Sequence, residues 1–72
     1  MRKSMIVRKG IIELLSDRKM HCIQDVSLYV KNLCKVENIE ISDTLINYNI
    51  QTLYKNGVID KYGKFVKIKT FI

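Results

Sequence analysis

The sequence predicts a small α+β domain, mainly α, with three helices followed by a two-stranded hairpin. Three observations lead there. Apolar residues recur with the 3.6-residue period of an amphipathic helix in three successive stretches. After Gly57 the period changes to 2, the alternation of a half-buried strand. The 72 residues contain no Pro, no repeat and no low-complexity segment that would divide them. A single domain over residues 1–72 follows.

The first helix is expected over about 4–17. Ser4 can cap it, and Val7, Ile11, Leu14 and Leu15, at i, i+4, i+7 and i+8, form its core stripe. Gly10 costs about 1 kcal/mol against Ala inside a helix. That cost makes sense if another element packs closely there. The polar run Ser16-Asp17-Arg18-Lys19 ends the helix, and His21-Cys22-Ile23 can add a short edge strand. The second helix is expected over about 24–36, with Val26, Tyr29, Val30 and Leu33 inward. Asp25 near its start and Lys31 and Lys35 nearer its end suit the macrodipole.

Residues 37–40 form a break. Ser42 is a good N-cap for a third helix over about 42–56, with Asp43 in its first turn. Ile46, Ile50 and Leu53 make its buried stripe, and Asn56-Gly57 is a C-terminal stop. The hairpin spans about 58–71, with a strand near 58–61, a tight turn at Tyr62-Gly63 and a strand near 64–71. Val66 and Ile68 share one face with Lys64 and Thr70. Phe65, Lys67, Lys69 and Phe71 share the other, so one face meets the core and one is basic.

Composition narrows the function classes. Hydrophobic residues at 47% with 28% charged residues describe a globular chain. No apolar run approaches the ~18–20 residues that span a membrane. The start, MRKSMIV, has no sustained apolar region or cleavage site of a signal peptide, which implies an intracellular location, cytoplasm or nucleoid. His21, Cys22 and Cys34 make at most three metal ligands without CxxC spacing, so no metal site and no cofactor are expected. Neighbours on a strand point to opposite faces, so His21 is badly placed to activate Cys22. Twelve residues of helix between the cysteines correspond to about 18 Å, beyond the ~7 Å a disulfide allows. With one His, no paired carboxylates and no phosphate loop, the chain does not read as an enzyme.

Charge is unevenly placed. The net charge is +6, with +4 on residues 1–9, +4 on residues 55–72 and −2 between them. Basic ends around a near-neutral middle suit a polyanion that touches the ends.

Helix, short strand, helix, break, helix, glycine and hairpin is the order of a winged helix-turn-helix domain. The stretches RKGIIELL, HCIQDVSLYVKNL and ISDTLINYNIQTLYKNGVID also resemble the DNA-binding half of ferric-uptake-regulator-type repressors. In that family R-x-x-I-L-x-x-L in a first helix precedes the helix-turn-helix. A third helix of the form S-x-x-T-V-Y-R-x-L-x-x-L then ends in G-L-I or G-V-I. Ser42, Ile46, Ile50, Leu53 and Gly57-Val58-Ile59 match this framework, and the resemblance covers roughly residues 6–69. The family's Thr-Val-Tyr-Arg stands here as Leu45-Ile46-Asn47-Tyr48, so its Arg is replaced. Nothing in the sequence matches the family's metal-binding and dimerisation half, so the resemblance implies neither iron nor zinc sensing.

The third helix carries one acid and one base between Ser42 and Asn56. A helix shaped only by solubility and propensity would use Glu, Lys, Arg and Ala. Opposite its core stripe stand Thr44, Asn47, Tyr48, Gln51 and Lys55, at i, i+3, i+4, i+7 and i+11. In the resembling fold this stripe enters the major groove of double-stranded DNA. Asn and Gln amides match adenine N6 and N7, and Thr reaches base edges and thymine methyls. Base contacts are therefore expected from Thr44, Asn47, Tyr48 and Gln51. Phosphate contacts are expected from Arg2, Lys3, Ser42, Lys55, Lys61, Lys64 and Lys67. Abundant Asn, Ile, Lys and Tyr throughout the chain offers a purely compositional explanation of the same stripe.

A chain of this size has a modest core. Met5 and Ile12, seven apart and off the first core stripe, and Phe71 and Ile72 form a candidate homodimer interface. Pairing there would set two third helices about 34 Å apart, one DNA turn. The leading expectation is a small DNA-binding transcriptional regulator, with no small-molecule ligand. The alternative is a winged-helix protein-interaction module using exposed Met5, Ile12, Phe65, Phe71 and Ile72.

Overall fold

The computed structural model describes residues 3–69. Arg2, Phe71 and Ile72, three of the expected contact residues, lie outside them. The element order is α1 (Lys3–Leu15), β1 (His21–Cys22), α2 (Ile23–Val36), α3 (Asp43–Lys55), β2 (Ile59–Tyr62) and β3 (Phe65–Ile68). The three strands form one antiparallel sheet in the order β1-β3-β2. The described chain is thus mainly helical α+β, with a hairpin after its third helix.

The core takes one stripe from each helix and one face of the sheet. Val7, Ile11 and Leu15 of α1 meet Val26, Val30 and Cys34 of α2 and Ile46, Ile50 and Leu53 of α3. Ile41, Ile59 and Val66 close it. Each such side chain contributes about 1.5–3 kcal/mol on burial. Leu14 and Tyr29 are only half-buried at its margin. Leu33 is 37% exposed, and Cys34, the next residue, takes the buried place. Val26, Val30 and Cys34 follow one i, i+4, i+8 line on α2, with Leu33 at its margin. A Cβ at Gly10 would lie 3.3 Å from Leu33 and 3.4 Å from Val30. α1 and α2 approach closely there, and Leu33 lies over the glycine at the edge of the core.

Helix ends account for the breaks. Ser4 does not cap α1, which already includes Lys3; its hydroxyl instead donates to Asn49 Oδ1 at 3.1 Å. α1 stops at Leu15, two residues before the expected end, and Arg18 takes a left-handed φ of 64°. There Asp17 accepts from the Lys19 N–H at 2.8 Å and meets His21 Nε2 at 2.9 Å. The Lys19 N–H first, and then the His21 ring, hold the Asp17 carboxyl below its ordinary range. α2 begins at Ile23, one residue earlier than the expected Gln24, because the Ile23 N–H donates to the Lys64 carbonyl at 2.8 Å. At its end Asn38 is left-handed, and the N–H groups of Asn38 and Ile39 return to the carbonyls of Lys35 and Cys34. These are the two bonds of a Schellman stop.

The hairpin turn is Gly63-Lys64, one residue later than the expected Tyr62-Gly63. Tyr62 pairs with Phe65 across it. Gly63 alone of the two turn residues has positive φ, 61°, the pattern of a type II′ connection, whose twist suits a hairpin. Cys22 and Cys34 are both free thiols, at the two ends of α2. Burial first, and then Glu37, push the Cys34 thiol upward. No helix of the described residues is long and apolar enough to cross a membrane.

Candidate nucleic-acid interface

α3 is held along one side and open along the other. Ser42 is its N-cap, and the Ser42 hydroxyl accepts from the Leu45 N–H at 3.3 Å. At the far end Gly57 has φ 75°, and the Gly57 and Val58 N–H groups return to the carbonyls of Tyr54 and Leu53. This second Schellman stop turns the chain directly into β2.

Between the caps, two polar clasps fix the helix on its neighbours. The Asp43 carboxylate accepts from the Ser27 hydroxyl at 2.8 Å, and Lys31 Nζ lies 2.8 Å from the same oxygen. α3 is thereby tied to α2. The Lys31 contact first, then the Ser27 hydroxyl, hold the Asp43 carboxyl below its ordinary range. The second clasp is Asn49, which is fully buried. Its amide donates to the Leu45 carbonyl at 2.9 Å and accepts from Ser4 of α1 at 3.1 Å. An unsatisfied amide at this depth would cost about 1–3 kcal/mol; here both ends are used. Asn49 therefore fixes α3 against α1.

On the open side Thr44, Asn47, Tyr48, Gln51 and Lys55 are all exposed, Tyr48 at 64%. The structure brings these five together as one stripe along the helix. Of the helix's other polar groups, Asp43 is held by α2, Asn49 in the core and Thr52 by its bond to the Tyr48 carbonyl at 2.9 Å, while Tyr54 is also exposed. What remains open is hydroxyl and amide chemistry, with the single ammonium of Lys55 in the last turn.

The candidate phosphate contacts divide. Lys3, Ser42, Lys55 and Lys64 are exposed. Lys61 pairs with Val66, so it lies on the packed side of the sheet and is half-buried; Lys67 pairs with Asp60 on the outer side. Lys67 thus shares the outer face with Phe65 as expected, while Lys61 lies on the packed side. Of the apolar residues, Met5 is 64% exposed, but Ile12 is half-buried against its own core. A seam built equally on Met5 and Ile12 is thereby reduced to its Met5 side. Asn49 and Ile41 were not among the expected core residues. Compared with known proteins, the chain matches no family model, no curated protein and no solved structure.

Proposed function

We propose that the chain is a winged-helix protein that binds double-stranded DNA through α3, with the hairpin as its wing, and acts as a small transcriptional regulator. The supporting observation is the open side of α3. It offers Thr44, Asn47, Tyr48 and Gln51 to a partner, while its one carboxylate is tied back to α2. A free carboxylate would repel phosphates, and free lysines would bind them without reading bases. Amides and hydroxyls on a rigid helix suit base edges, adenine above all. Lys3, Lys55, Lys64 and Lys67 supply the sequence-independent attraction.

Selection from a random duplex pool identifies the preferred site, and two variants test the reader. Asn47→Ala and Gln51→Ala are each expected to weaken binding to that site by roughly 1–3 kcal/mol and to leave random duplex almost unchanged. Equal losses on both would show that these residues do not read bases. We further propose a homodimer through the Met5 side of α1. Sedimentation should show a dimer at micromolar concentration and a monomer for Met5→Glu; a wild-type monomer would remove it.

An interaction-module reading draws on Leu28 and Val36 of α2, both exposed and apolar. Duplex binding with a steep salt dependence favours DNA over that alternative.

A further inference from the structure

The register of the sheet sets two aromatic rings side by side on its outer face. Cys22, Phe65 and Tyr62 are successive cross-strand partners along one row over β1, β3 and β2. The core lies on the opposite side, under Ile59, Val66 and Ile68. Phe65 is 46% exposed and Tyr62 53% exposed. Two open rings in one row are costly in a small chain, and nothing in the α3 contact uses them.

Cations surround the rings. Lys64 is in the turn between Tyr62 and Phe65, and Lys67 stands two residues along β3 on the same side. Alternation puts Lys69 there too, its N–H bonded to the Val58 carbonyl. The one acid on this face is Asp60, opposite Lys67. This charge decides between occupants. A second copy of the chain would set lysines against lysines. An anionic partner is attracted, and one with planar bases also covers the rings. We propose that the outer face of the sheet binds single-stranded nucleic acid, with bases stacked on Phe65 and Tyr62 and phosphates beside Lys64, Lys67 and Lys69. The rings stand apart from α3; Lys64 and Lys67 are shared with the duplex reading, and Asn47→Ala separates the two contacts.

The test uses the full chain and a labelled, non-self-complementary oligonucleotide of about ten nucleotides, within the range one such surface spans. Binding should weaken with salt. Phe65→Leu and Tyr62→Leu keep an apolar side chain but remove the ring, and each should lower affinity about 5- to 100-fold. Phe65→Tyr and Tyr62→Phe should stay within about twofold, since every aromatic presents a π-face. Asn47→Ala should change nothing here. In the wild type, the Phe65 and Tyr62 ring proton resonances should move upfield on titration, a readout that needs no variant. Absent binding, leucine variants that bind like wild type, or unmoved ring resonances would each overturn the proposal. Polyglutamate that binds wild type and both leucine variants as tightly as the oligonucleotide would overturn it in favour of an acidic protein partner.

Discussion

α3 is anchored at both ends and twice between: by Ser42, by Asp43 to Ser27 and Lys31, by Asn49 to Ser4, and by the return of Val58 to Leu53. The hairpin, by contrast, is held by Ile59 and Val66 in the core, by its own ladder, by the short β1 pairing and by the bond from Ile23 to Lys64. Among the described residues it makes no side-chain hydrogen bond or ion pair to a helix. Its lysines lie on both sides of the sheet and at the turn. Hydrogen-bond readout fails when a donor is misplaced by an ångström, so a reader needs a fixed helix. Attraction to phosphate falls off slowly with distance and tolerates a loosely held cation. The two regions differ as those two tasks differ.

Removing the deepest anchor should have the largest effect. Asn49→Ala deletes both ends of the α1–α3 clasp and leaves Ser4 without its acceptor, at a cost of roughly 1–3 kcal/mol. Denaturant unfolding measures this. A change near zero would mean that α3 is held by its apolar stripe alone, and the contrast with the hairpin would shrink.

The hairpin is next. Lys64→Ala and Lys67→Ala should weaken binding to every duplex alike and reduce the salt slope by about 1 each. Lys61→Ala, on the packed side of the sheet, should reduce it less. An unchanged slope in all three would take the hairpin out of the contact.

The smallest effect is expected at Asp43, where solvent screens the clasp. Its carboxyl sits below the ordinary range when folded. The stabilisation is therefore present at neutral pH and disappears as pH falls through that range. Asp43→Asn should lower the melting temperature slightly near pH 7 and make the acid limb shallower, with both proteins converging at about pH 2. Parallel curves would show that the clasp does not support α3.

Where a periodic signal existed, the fold was legible. Val7, Ile11, Val26, Val30, Ile46, Ile50 and Leu53 all fall in the core their spacing predicts, and Ser42 and Gly57 bound α3 as capping chemistry requires. Asn49 was missed because residue type overrode position. It stands three after Ile46 and four before Leu53, inside the buried stripe, yet an amide reads as surface. Ser4 was misread for a related reason: a hydroxyl near a helix start suggests a cap, and only the approach of α3 reveals its partner. Ile41 belongs to no periodic run, so spacing had nothing to say of it. The open stripe of α3 was legible in full. The pairing of Lys61 with Val66 was not: a turn at Tyr62-Gly63 would pair Lys61 with Lys64, and the turn one residue later moves its partner by two, to Val66, on the same face.

The strand order carries a consequence for how the molecule comes together in time. β1 lies between α1 and α2 in the chain, yet its partners Val66 and Phe65 are more than forty residues further on. The α1–α3 packing spans a like separation, with Ser4 and Asn49 45 residues apart, whereas β2 and β3 are joined by a short turn. The hairpin closes locally, and the addition of β1 to it is entropically later. The first N–H of α2 waits on the Lys64 carbonyl. A ribosome-bound chain therefore lacks this anchor until residues 64–66 emerge, and the edge formed by His21 and Cys22 stays open until then.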